Sequence, residues 1–180
     1  MFYINLYIPK TTAQKYRLKT LKELFSKKAR DKILALSDIV YDDSRGQGWY
    51  SWENLIVLNS SSYGKTYEDV LEENIHESAH VYWDIERAFN SGKRDTFLTK
   101  LFLTVHNNDV WDRYLFGLLK AVILDESALQ NIWNKNPLKI SLSEINDSEL
   151  FASISSYSMG DMQSLPREIR PFFGEMFKEK

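Results

Sequence analysis

Residues 76 to 80 read H-E-S-A-H, which sets two imidazoles and a carboxylate on adjacent turns of one helix. His76 and His80 stand at i and i+4, so their side chains leave a helix on the same face and can close on a single zinc ion, Zn²⁺. Glu77 sits one position round, where its carboxylate can reach a metal-bound water without ligating the metal. The chemistry of this H-E-x-x-H pattern is metal-assisted hydrolysis of a peptide bond, with zinc polarising the carbonyl and the glutamate acting as general base. Two of the three histidines in the chain lie in this pentapeptide. The plainer alternative is a pair of half-buried histidines on an amphipathic helix.

The surrounding segment is built to be a helix. Thr66 can cap it, Glu68 and Asp69 put negative charge in its first turn, and Val70, Leu71, Ile75, Ala79, Tyr82 and Trp83 recur at helical spacing. Gly92 offers a stop. Asp84, one turn after His80, is a candidate to hold that imidazole by its other nitrogen, although a solvent-facing charge is the commoner role and is also the plain reading of Glu72 and Glu73.

Two histidines leave a zinc site incomplete. With no cysteine in the chain, the third protein ligand must be a carboxylate or His106. His106 precedes an N-N-D turn, Asp125 and Glu126 interrupt an apolar helical run, and Glu149 opens a helix with Leu150, Phe151 and Ile154 behind it. Spacing from His80 alone favours Glu126.

The elements that position these groups follow from pattern. Residues 2 to 8 alternate apolar and polar and end at Pro9, which predicts a strand. A long amphipathic helix is expected from Thr12 to Leu36, broken near Ser26. I-V-Y at 39 to 41, W-Y-S-W at 49 to 52, a turn at Glu53-Asn54 and L-I-V-L-N at 55 to 59 then predict a small antiparallel sheet just before the H-E-S-A-H helix. Leu55 to Asn59 is the candidate edge strand to which an extended peptide substrate could add. Further helices are expected at about 94 to 106, 111 to 133 and 148 to 159, the last capped by Asp147 or Asn146, with a short one near Pro166. The expected class is α+β and zincin-like: a small antiparallel sheet packed on an active-site helix, followed by a helical lobe.

With 180 residues, 43% of them hydrophobic and 14% aromatic, the chain can bury one substantial core, and a single domain over residues 1 to 180 is expected. A net charge of −2 from 23 basic and 25 acidic residues argues against nucleic acid as a partner. The basic residues from Lys15 to Lys32 read as a solvated helix face. No window reads as a membrane span or a signal peptide, so a monomeric cytoplasmic protein acting on a peptide or protein substrate is the expectation.

The segment N-D-S-E-L-F-A-S-I-S-S-Y-S-M-G-D, followed by L-P-R-E-I-R-P-F-F, resembles the C-terminal part of the anthrax lethal factor-like zinc peptidases, a group that includes the clostridial Pro-Pro endopeptidases. G-Q-G-W-Y-S-W-E-N-L-I-V-L-N also looks like the edge-strand hairpin of that family, so the resemblance spans about residues 38 to 176. It implies that His76, His80 and Glu149 are the zinc ligands and Glu77 the base. The chain departs from the family at two places: the family's transition-state tyrosine falls at Leu142, and its second helix glutamate falls at Ser153. Tyr50, Tyr157 and His106 are the other candidates to stabilise an oxyanion. Two further readings are an inactive zincin-like module that binds or inhibits, and a cytoplasmic peptidase of a mobile element that cuts a repressor.

Overall fold

Why the chain folds as it does is clearest at its helix ends. The computed structural model describes residues 10–36, 38–41, 49–50, 55–58, 66–105 and 145–178. The strand expected over residues 2 to 8, the turn at Glu53-Asn54, the helix over 111 to 133, and the positions of His106, Asp125, Glu126 and Leu142 lie outside these residues.

Helix α1, Lys10–Leu24, and helix α2, Lys27–Leu36, divide the predicted long helix at Phe25 and Ser26. The Ser26 hydroxyl accepts from the Ala29 N–H at 3.2 Å, the local bond that lets serine open a new helix. The C-terminal segment closes over the break. The Ser26 N–H donates to the Met176 carbonyl at 2.8 Å, the Lys178 N–H donates to the Leu24 carbonyl at 2.9 Å, and the Phe25 and Phe177 rings meet at 5.2 Å.

Helix α3, Tyr67–Phe89, starts at a capping box: Thr66 Oγ1 accepts from the Asp69 N–H, and the Asp69 carboxylate accepts from the Thr66 N–H at 2.8 Å. It ends at Asn90, in extended backbone, and Gly92 lies in the turn that leads to α4, Lys93–Val105. Helix α5, Asp147–Ser158, is capped by Asn146 and stops where Met159 and Gly160 turn left-handed, with φ of 48° and 79°. A 3-10 turn, Met162–Ser164, and the short helix α6, Arg170–Gly174, finish the described chain.

Among the described residues, the core is made by helices. Helix α3 packs most extensively on α5. Between them Trp83 stacks on Phe151 at 4.5 Å and 16°, and Phe151 stacks on Phe173 of α6 at 4.4 Å and 4°. Phe97 of α4 meets Phe151 edge-on at 5.8 Å, so four aromatic rings from four helices form one column. The serines of α5 do not spoil this burial, because Ser155, Ser156 and Ser158 donate to carbonyls of their own helix. Glu86 joins three helices: Lys32 of α2 and Lys93 at the start of α4 both donate to it. No described helix is long and apolar enough to cross a membrane.

These observations correct the expected fold class. The described chain is predominantly helical, not an α+β protein founded on a small antiparallel sheet. Its strands are short: β1, Asp38–Tyr41, β2, Trp49–Tyr50, and β3, Leu55–Leu58. The order is β1-β3-β2, with β1 parallel to β3 and only β2 antiparallel to it. The expectation that Leu55 to Asn59 forms an edge is corrected too, because β3 is the central strand, paired on both sides. Apolar runs such as L-I-V-L specify extended backbone, but they do not specify which neighbour arrives or from which direction.

Candidate metal centre

Two helices bring the site together. Helix α3 carries His76 and His80 on one face, and the N-terminus of α5 brings Glu149 against them. The rings of the two histidines meet edge-on, with Nε2 of one 3.2 Å from Nε2 of the other. Each faces its own oxygen of the Glu149 carboxylate: His76 Nε2 lies 3.2 Å from Oε1 and His80 Nε2 lies 3.2 Å from Oε2. Ligand atoms bound at about 2.0–2.1 Å to a tetrahedral zinc stand about 3.3 Å apart, and here one ligand atom from each of the three residues lies within 4.8 Å of the others, close enough to share one ion. Two imidazoles and one carboxylate are also a donor set of the catalytic zinc type, with room for a water in the fourth position. Among the described residues, His76, His80 and Glu149 are the group of potential ligands whose atoms converge in this way.

The carboxylate is held in place from its own helix. The Ser153 hydroxyl, one turn on, donates to Glu149 Oε1 at 3.2 Å. The contact with His76, then that with His80, holds the Glu149 carboxyl well below the usual carboxylate range, against the opposing effect of burial. Ser153 therefore touches the candidate ligand directly, at the position where the lethal factor-like pattern has a glutamate.

Four consecutive residues, Asn146 to Glu149, each do something different at this helix start. Asn146 Oδ1 accepts from the Glu149 N–H at 3.1 Å and caps the helix. Asp147, 2% exposed, accepts from the Trp83 indole N–H at 2.6 Å, from Arg94 Nε at 2.7 Å and from an Arg87 N–H at 3.2 Å. That cluster clamps α5 to α3 and α4. Ser148 Oγ lies 2.9 Å from Nδ1 of His80 and donates to Asp84 Oδ1 at 3.0 Å. Asp84 was a candidate to hold the His80 imidazole, with a solvent-facing charge as its commoner role, and it stands one hydroxyl further back. Burial pushes its carboxyl up, with Arg87 and Ser148 pulling the other way.

Ser148, Arg87 and Arg94 escaped the sequence reading, and Asp147 was read only as a candidate cap. The one visible signal for Asp147 and Ser148 was the run of polar residues N-D-S-E directly before an apolar helix, which reads as capping and not as support for a metal site.

Glu77 is 4% exposed. Helical geometry sets it roughly 60° round the axis from His80, beside the ligands and off their line. Tyr157 is exposed and lies eight residues along α5 from Glu149, about 12 Å up the helix. The structure therefore does not bring it to the histidines; His106 and the side chain of Tyr50 lie outside what is described.

Comparison with protein-family models, with curated proteins and with solved structures gives no match, so the reading of this centre rests on its own residues.

Proposed function

We propose that the chain is a zinc-dependent metallopeptidase that hydrolyses bonds within a peptide or protein substrate, with a glutamate as the third metal ligand. The observation that carries this reading is the convergence of His76, His80 and Glu149, from two separate helices, at 3.2 Å spacing beside a buried glutamate. The lethal factor-like resemblance implies the same set of ligands. The two imidazoles would hold the ion through Nε2 and Glu149 through its carboxylate. Bound there, zinc supplies a Lewis acid and makes a bound water far more acidic. Glu77 takes the proton of the attacking water and delivers it to the leaving amine. Burial serves that role by keeping bulk water from competing for its carboxylate.

The test begins with elemental analysis of the purified protein. About one zinc per chain is expected in the wild type, with loss in His80→Ala and Glu149→Ala. Glu77→Gln is expected to keep the metal and lose turnover against a peptide library. Absence of zinc from the wild type, even after supplementation, refutes the reading. Stoichiometric zinc with no cleavage by the wild type would favour a metal-holding binding module instead.

A further inference from the structure

We propose that Arg94, on α4, is a positioning residue for the third metal ligand: its guanidinium clamps the turn from which α5 starts, and that turn sets where the Glu149 carboxylate meets the two imidazoles. This role rests on the metal reading above, but the clamp itself needs no ion.

Ile145, Asn146 and Asp147 form a tight turn. The Asp147 N–H donates to the Ile145 carbonyl at 3.0 Å, two residues back, and Asn146 between them has φ −75° and ψ 86°. This is an inverse γ-turn, closed by a single hydrogen bond over three residues. Arg94 straddles it. Nη2 donates to the Ile145 carbonyl at 3.0 Å, Nε donates to Asp147 Oδ1 at 2.7 Å, and Nη1 meets the exposed Asp95 at 3.4 Å. The first and third residues of the turn are thus tied to one rigid plane, a grip that the single ammonium of a lysine does not copy. Both belong to the interior, Ile145 at 3% and Asp147 at 2% exposed. Trp83 and Arg87 hold the Asp147 carboxylate from α3, and Arg94 holds the backbone of the turn as well.

Asp147 is the first residue of α5 and Glu149 the third. Two helical residues span only about 3 Å along the axis, so a shift of the turn passes almost undiminished to the carboxylate. Distances from metal to ligand hold within about 0.2 Å, which makes that placement demanding. His76 and His80 need no such help, because both ride on α3 and one helix fixes their spacing. Phe97, one turn after Arg94 on α4, packs edge-on against Phe151 of α5. Helix α4, which carries none of the three ligand residues, therefore holds the ligand helix at two points.

Two readouts separate the turn from the ligand. In metal-free wild type, hydrogen exchange is expected to show the Asp147 and Glu149 amides protected. Arg94→Met, which keeps the aliphatic stem, is expected to speed their exchange about tenfold, what two partly screened hydrogen bonds are worth, while the amides of Ala79 to Trp83 in α3 keep their protection. Zinc affinity, measured by chelator competition, is expected to fall about tenfold in Arg94→Met, with little recovery in Arg94→Lys. Lys93→Gln, one residue away, gives up its bond to Glu86 and controls for a general loss of stability; its zinc affinity is expected to stay within about twofold of wild type. A freely exchanging Asp147 amide in the wild type overturns the clamp, and that reading needs no variant to fold. Full recovery in Arg94→Lys, or an equal loss in Lys93→Gln, also overturns the proposal. Faster exchange confined to the start of α5 in Arg94→Met, with a wild type that binds no zinc, would support the clamp while refuting the peptidase. Zinc bound equally well by wild type and Arg94→Met would refute the positioning role and leave the peptidase standing, so the two readings fail separately.

Discussion

Replacing Asp147 by alanine is the most demanding stability test of this structure, because it removes one carboxylate and strands three donors. The Trp83 ring is fully buried, so its indole N–H, now 2.6 Å from Asp147 Oδ2, would be left in an apolar column. A buried donor without a partner costs about 1–3 kcal/mol. The two guanidiniums lose less, since the Arg87 and Arg94 side chains are 38% and 23% exposed. Arg87 also keeps Asp84 at 3.0 Å, and Arg94 keeps the Ile145 carbonyl at 3.0 Å. Allowing about 0.5 kcal/mol for each of these partly screened pairs brings the total to about 3 kcal/mol. That falls at the lower end of the range of roughly 3–5 kcal/mol for breaking a sealed ion pair. Asp147→Asn, which keeps one acceptor and loses the charge, should cost about half as much. Urea unfolding of metal-free protein, followed by far-ultraviolet circular dichroism, reads both values without linkage to a bound ion. A loss below about 1 kcal/mol for Asp147→Ala would refute the claim that this carboxylate clamps α5 to its neighbours.

Phe151→Ala, at the centre of the aromatic column, should cost about 3–5 kcal/mol in the same unfolding experiment, and a loss under about 1.5 kcal/mol would mean that the Trp83–Phe151–Phe173 stack is not the core. Asn146→Ala should cost about 1 kcal/mol through loss of the α5 cap and should weaken zinc binding as well, because the capped N–H is that of Glu149; unchanged zinc affinity would separate the cap from the site. Burial pushes the Glu86 carboxyl up, but the hydrogen bonds from Lys32 and Lys93 outweigh it and the net direction is downward. A carboxyl lowered in the folded state adds stability that is complete above its unfolded pKa of about 4.3 and is lost as pH falls through the folded value. Glu86→Gln should therefore lower stability at neutral pH by about 1 kcal/mol or less and close the gap to wild type in acid; an equal difference at both pH values would contradict the assignment.

How much was legible in the sequence depended on how far apart the interacting residues stand. Thr66 with Asp69, Ser26 with Ala29, and Asn146 with Glu149 are each three residues apart, and all three helix starts could be read from residue type alone. The H-E-S-A-H spacing was equally local, since helical geometry alone puts His76 and His80 on one face. The residue pattern left His106, Asp125, Glu126 and Glu149 open as the third group, and only the resemblance singled out Glu149. The docking of α5 on α3 is what sets Glu149 against both imidazoles.

The sheet shows the same limit from the other side. The apolar run at Leu55 to Leu58 was recognisable as a strand, yet its parallel partner β1 and its central place were not, because strand pairing is decided by which edges meet in space. Ser148 was invisible for the same reason: a serine near a helix start reads as a capping residue until the other helix supplies a histidine. The sequence by itself determined the helices, their caps and the two-histidine face, through interactions within about one helical turn. Only the tertiary structure decided which carboxylate meets the two imidazoles, the hydroxyl behind His80 and the helical character of the core, because each depends on side chains brought together from distant segments by burial, a force that has no direction along the chain.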